Sequence, residues 1–219
     1  MPKRAGVATE IDLVEQRRKS ISEAFHTFNQ PLTSLHCGIE IALAKPRSVA
    51  EYQKRLQDAL RNAGAVLQLN RALRELVDAV DPGERFGTIA LPPLVAQVAN
   101  EVSTVMEGSG VAIAAGEVSP LFVAADPMKL LRALAAVLME MANNVERGGV
   151  VTLEASQSRS DAVIVICQQG ARRELPSEPL IEERAQAIRV DAARWYVQTI
   201  GGSVSVEESK TVITLPLAD

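Results

Sequence analysis

The chain has 219 residues, a net charge of −4, and 47% hydrophobic residues against only 3% aromatic. That acidic balance excludes nucleic-acid binding as the main activity, because neutralising phosphates takes Lys and Arg gathered on one surface. No apolar run approaches the ~18 residues of a membrane span and the N-terminal MPKRAGVATEID lacks the apolar core of a secretion signal, so a cytoplasmic chain with no membrane partner is expected.

From about Thr9 to Ala44 the apolar residues Ile21, Phe25, Phe28, Leu32, Leu35, Ile39 and Ala42 alternate spacings of four and three, a heptad seam. The seam crosses Pro31 without a break, which predicts one bent, continuous helix even though proline removes a backbone donor and costs about 3 kcal/mol in a helix interior. Lys45-Pro46-Arg47 interrupts the pattern, and Ser48 with Glu51 forms a capping box for a second helix. That helix carries Leu56, Ala59, Ala63, Val66, Asn70, Leu73, Val77 and Val80 on its seam and ends at Asp81-Pro82-Gly83, with Asn70 read as a register-setting polar residue. A lone hairpin cannot bury both seams, so residues 1–82 are expected to dimerise into a four-helix bundle.

Beyond Gly83 the period changes. A helix is predicted over Leu91–Met106, strands at Val111–Ala114 and Leu121–Ala124, and a helix from the Asp126-Pro127 cap to about Val145. Gly148-Gly149 then opens a hairpin, VVTLEASQSRSDAVIVIC, followed by a polar loop, a helix near Ala185–Thr199, and a last hairpin after Gly201-Gly202. Residues 86–219 are thus expected to form an α/β sandwich with helices on one face of a mostly antiparallel sheet, and the whole chain is α+β. Cys37 and Cys167 lie far apart with no CxxC or Cys/His cluster, so they are read as small core residues and no metal site is expected.

One stretch of the first helix carries chemistry. His26, one of two histidines, is followed by Asn29, Gln30, Pro31, Leu32 and Thr33. His-x-x-Asn-Gln-Pro-Leu-Thr on a helix, then a partner helix and a sandwich, resembles the cytoplasmic core of a bacterial sensor histidine kinase. The resemblance runs from about residue 15 to the end. It implies that His26 is the phospho-acceptor, with Asn29, Gln30 and Pro31 as its supporting motif. It also implies that the sandwich is an ATP-binding domain in layout: LLRALAAVLMEMANNVERGGVVTL matches its Asn-bearing helix and GGSVSVEESKTVITLPLA its closing hairpin.

The nucleotide motifs depart from that family. Glu140 stands where it has a metal-associated Asn, eight residues before the paired glycines; Asn143 and Asn144 could restore the motif only in a shifted register. The Asp-x-Gly-x-Gly loop falls on Gln168-Gln169-Gly170-Ala171-Arg172, and the Gly-Leu-Gly-Leu segment on Ala187-Ile188-Arg189-Val190. Glycines let backbone N–H groups approach a phosphate, and branched or long side chains obstruct that approach. Thr27 replaces the acidic residue that usually follows the histidine and cannot act as a base, while Glu23, one turn earlier, is placed to orient the imidazole. Arg17, Arg18 and Lys19 could steer phosphate or an acidic partner. His36 has no comparable setting.

A retained acceptor with a dismantled nucleotide pocket implies a histidine phosphotransferase. It would relay phosphoryl groups between receiver domains of response regulators, whose own acidic pocket supplies Mg²⁺, so that this chain needs no cofactor. Two alternatives stand beside it: an ATP-dependent histidine kinase with a divergent site, and a non-catalytic dimeric scaffold or regulator of a response regulator.

Overall fold

The structure, a computed structural model, describes residues 10–174 and 180–218, without the side chains of residues 10–14 and 16. Most of the N-terminal stretch read for a secretion signal, and residues 175–179 of the polar loop, lie outside this range. The chain divides into two compact units, Met1–Leu73 and Arg74–Asp219.

The first unit is built from α1 (Glu10–Leu43) and most of α2 (Val49–Asp78), whose last turn is part of the second unit. Helix α1 runs through Pro31 unbroken over 34 residues. Between the helices, Arg47 donates from Nη2 and Nε to the Ile41 carbonyl at 2.8 and 3.3 Å, satisfying an acceptor that the end of α1 leaves open. The Ser48–Glu51 box is complete. Glu51 Oε2 accepts from the Ser48 backbone N–H (2.9 Å) and hydroxyl (2.8 Å), and Glu51 N–H donates back to Ser48 Oγ (3.3 Å). Those bonds hold the Glu51 carboxyl below the usual range.

The expected seam of α1 splits. Ala24 and Pro31 are buried and Ile21, Phe28, Leu35 and Ala42 half-buried, but Phe25, Leu32 and Ile39 are exposed. The apolar residues therefore cover more than one face, and the stripe buried within a single chain is centred one position off the heptad reading. On α2, Leu56, Leu60 and Leu67 are likewise exposed, while Asn70 is half-buried.

The second unit adds β1 (Gly87–Ala90), α3 (Leu91–Val105), β2 (Ala112–Val118), β3 (Phe122–Ala125), α4 (Pro127–Asn143), β4 (Val150–Ser158), β5 (Asp161–Gln169), α5 (Ile181–Thr199), β6 (Ser203–Val206) and β7 (Lys210–Pro216). The main sheet has the order β2-β4-β5-β7-β6, antiparallel except for the parallel pair β2–β4, and β1 pairs with β3 in a separate two-stranded ribbon. Residues alternate along the central strands. Val151, Leu153 and Ala155 of β4, Ala162, Ile164 and Ile166 of β5, and Ile213 and Leu215 of β7 are buried, while their strand neighbours are half-buried or exposed. One face of the sheet thus forms the core, in register: Leu153 opposite Ile166, Ile164 opposite Ile213. Helix α4 supplies the other side with Leu130, Leu134, Val137, Leu138 and Met141.

Asp126 fixes the start of α4. Its Oδ1 accepts from the N–H groups of Met128 and Lys129 (2.9 and 3.1 Å), and its Oδ2 accepts from that of Arg85 (3.1 Å). Burial alone would push its carboxyl up, but the Lys129, Arg85 and Met128 bonds together hold it below the ordinary range. The Asp126 N–H donates to the Tyr196 hydroxyl at 2.8 Å, and burial pushes that phenol up to about 12. Lys129 Nζ donates to the carbonyls of Asp78 and Asp81, both at 2.8 Å, capping the end of α2 with a cation. Gly83 turns the chain there at φ +105, and a Cβ on it would lie 2.6 Å from that of Asp126. No helix among the described residues is long and apolar enough to cross a membrane.

Candidate functional site

Helical periodicity puts His26, Asn29, Gln30 and Thr33 on one face of α1, and all four are exposed. Pro31, on the opposite, buried side, has no N–H to give the carbonyl four residues back, which is that of Thr27. The Thr27 hydroxyl is itself turned into the helix, donating to the Glu23 carbonyl at 2.9 Å. The Glu23 carboxylate faces Lys19 at 3.9 Å, and among the described residues none forms a hydrogen bond or ion pair with His26. Arg18 is held by Glu15 (2.7 Å), so Arg18 and Lys19 both have local acidic partners. What the structure presents is an exposed imidazole on a polar helix face, reachable from solvent and competent as a nucleophile in its neutral form.

A cleft of about 380 Å³ opens in the sandwich between the end of α4, the end of β5, α5 and the β6–β7 hairpin. Glu140, Gln168 and Arg172 all line it, with Asn144, Arg194, Glu207, Glu208 and Thr211. Positions from two motifs, the Asn-bearing helix (Glu140) and the segment running out of the end of β5 (Gln168 and Arg172), therefore line one cleft. Asn144, one turn beyond Glu140, donates to Glu140 Oε1 at 3.3 Å. Gln168 donates to the Glu208 carbonyl at 3.3 Å, while its Oε1 is buried without a partner among the described residues. The cleft size is ordinary for a small-molecule site.

Gly170 is adjacent and serves the backbone. It adopts φ +128 against Gly149, whose Cα would lie 3.0 Å from an added Cβ. The next residues are tied to the end of α4: Glu146 N–H donates to the Ala171 carbonyl (2.9 Å) and Arg173 N–H to that of Asn144 (2.9 Å). Arg189 lies away from this cleft. It pairs with Glu75 at 3.4 Å beside Lys129 and Tyr196, and its helix neighbours Val190 and Arg194 line the cleft instead.

The reading of Cys37 as a core residue is corrected: it is exposed on α1, while Cys167 is half-buried on β5. Its immediate neighbour His36 has Nδ1 3.4 Å from Glu40 Oε2, and the donor atoms of His36, Cys37 and Glu40 all lie within 4.8 Å of one another. The triplet contains no CxxC and no Cys/His pair at zinc-finger spacing. The signal present in the sequence is His-Cys-x-x-Glu on a helix, which puts Glu40 one turn beyond the adjacent His36 and Cys37.

No family model matches the chain. A curated sensor protein, IrlS of Burkholderia pseudomallei (strain K96243), is 27% identical over 178 residues, covering 79% of this chain and 37% of the relative. The chain therefore spans a little over a third of that protein's length. Among solved structures, the Acinetobacter baumannii histidine kinase AdeS superposes with a TM-score of 0.58 at 12% identity, covering 89% of this chain and 98% of that one. A histidine kinase from Burkholderia phymatum STM815 gives 0.51 at 13% identity over 93% and 98% of the two chains. Full-length ShkA in complex with AMPPNP gives 0.57 at 16% identity, over 93% of this chain and 46% of that one. A helical pair followed by this five-stranded sandwich, shared over nine-tenths of the chain, is the core fold of the sensor histidine kinases, with a sensor protein among the chain's homologues.

Proposed function

We propose that the chain is a histidine phosphotransferase of two-component signalling, passing phosphoryl groups between response-regulator receivers through His26. The observation that carries this reading is the cleft: a nucleotide would meet Glu140, Gln168 and Arg172 there, while His26 stays exposed on its helix. Glu140 adds negative charge where a triphosphate brings its own, and Gln168 lacks the charged acceptor that reads an adenine amino group.

In the proposed step a phospho-aspartate of a docked receiver is the donor. The neutral His26 imidazole attacks phosphorus in line; the N–P bond forms as the acyl P–O bond breaks, the donor carboxylate leaves, and the ring proton passes to solvent. A second receiver's aspartate reverses the sequence. Positioning and charge neutralisation carry phosphoryl transfer, so a receiver's own Mg²⁺ suffices and Thr27 need not act as a base. The exposed Phe25, Leu32 and Leu56 favour a homodimer through the hairpin.

The test is incubation with a phosphorylated receiver. Label should appear on His26, acid-labile and base-stable as a phosphoramidate, and His26→Ala should abolish it. Label that survives in His26→Ala, or maps to His36, would show the wrong nucleophile.

A second reading, an ATP-dependent kinase, is favoured by the retained cleft with Asn144 and the unpartnered Gln168 Oε1. Calorimetric titration with ATP and Mg²⁺ separates the two: a micromolar dissociation constant, about −8 kcal/mol, would put the kinase first.

A further inference from the structure

We propose that His36, Cys37 and Glu40 form a binding site for a zinc-class divalent cation on the exposed surface of α1. Residues three and four apart on a helix are surface neighbours. Glu40 is four residues beyond His36 and three beyond Cys37, so its carboxylate stands over both, and the three side chains make a triangle on one facet of α1. His36 Nδ1 already lies 3.4 Å from Glu40 Oε2, and the three donor atoms fall within 4.8 Å of one another. Tetrahedral zinc with bonds of about 2.0–2.3 Å spaces its ligands about 3.3–3.8 Å apart, so rotations of exposed side chains close the set.

The donor chemistry selects the ion. One imidazole nitrogen, one thiolate and one carboxylate oxygen are the ligand types of zinc, and a thiolate disfavours magnesium or calcium. Three protein ligands leave a fourth position for water, which makes the site exchangeable. Binding requires a neutral imidazole and a thiolate, so the Cys37 thiol proton is released to solvent. A solvated His36–Glu40 pair would explain two of the three residues. It does not explain the exposed thiol beside them, since unpaired cysteine is among the most buried residue types.

The position adds a consequence. Cys37 is eleven residues beyond His26, three turns and roughly 16 Å along the axis, on nearly the same face of α1. A cation held there would sit at the margin of any partner docked over His26.

The experiment is titration of the full chain with Co²⁺ at neutral pH, read by absorption. Wild type should develop a thiolate-to-cobalt charge-transfer band saturating at one Co²⁺ per chain, and Zn²⁺ should bleach it. Cys37→Ser should lose the band. His36→Ala and Glu40→Gln should each weaken binding about tenfold or more, the scale of losing an interaction at a metal site. Cys167→Ser should leave the titration unchanged. All three proposed ligands are exposed, so these substitutions remove no core packing. A band that survives Cys37→Ser, a band lost in Cys167→Ser, or wild-type affinity no greater than that of the His36→Ala/Cys37→Ser/Glu40→Gln variant overturns the proposal.

Discussion

The two units solve the burial problem differently. In the sandwich, Leu130, Leu134, Leu153, Ile164, Ile166 and Ile213 are fully enclosed by their own chain. In the hairpin, Phe25 is 53% exposed, Leu32 42%, Leu56 69% and Leu60 75%. Single exposed apolar residues are normal on a protein surface, but a heptad-spaced row of them on two long helices is an unusually continuous apolar surface. The sandwich core is enclosed by its own chain; the exposed rows of the hairpin are not, and they are the basis of the homodimer proposed above.

The sharpest way to break this contrast is at the seam. Leu32→Glu combined with Leu56→Glu should convert a dimer to monomer in analytical ultracentrifugation while leaving the sandwich folded. A wild type that is monomeric at micromolar concentration would remove the basis for the comparison. Next in size, Ile164→Ala should cost about 2–5 kcal/mol in urea unfolding of the sandwich, as a cavity at a fully enclosed site does, with no change in oligomeric state. Were the cost below ~1 kcal/mol, the sandwich core would be less closely packed than its burial implies.

Gly83→Ala is a smaller, backbone-level test. It places a Cβ against Asp126 in a left-handed conformation, and strain of that kind costs roughly 1–3 kcal/mol. The loss should appear in the second unit and spare hairpin association; an unchanged unfolding midpoint would show that the turn relaxes freely. The smallest effects are in pH. Asp126 has its folded value depressed, so its contribution is present above an unfolded value of about 3.9 and is lost as pH falls through the lower folded value. Tyr196 has its folded value raised to about 12, so its contribution is complete below about 10 and is lost as pH climbs through about 12. Asp126→Asn should flatten the acid limb of a stability profile and Tyr196→Phe the alkaline limb; profiles parallel to wild type would show that neither group titrates differently on folding.

The features legible in the sequence are those written locally. The Ser48–Glu51 box, the Asp126-Pro127 start of α4, the hairpins after the glycine pairs and the continuity of α1 through Pro31 each depend on residues within a few positions of one another. Strand β1 was not legible, because GTIA is four residues long and its partner β3 lies more than thirty residues away. The parallel β2–β4 pair is also non-local and leaves no turn signature. Glu140, Gln168 and Arg172, singled out by motif spacing, line one cleft, whereas Arg189 is one residue from Val190 and yet turned toward Glu75. On a helix one position is a 100° rotation, so matching a loop motif to a regular helix does not fix which residue faces the cleft. The same rotation separates the buried Ala24 and Pro31 from the exposed Phe25 and Leu32.

Pro31 also sets a clock. Because the Thr27 carbonyl has no N–H from residue 31 to bind, the ladder of α1 lacks a rung immediately after His26. Opening a helix ordinarily means breaking consecutive rungs together; with one already missing, the amides between His26 and Gln30 can exchange with water through a more local fluctuation than those near Cys37. Hydrogen–deuterium exchange should therefore run faster at the amides of residues 27–30 than at those flanking Cys37, the readout of one missing rung in an otherwise continuous helix.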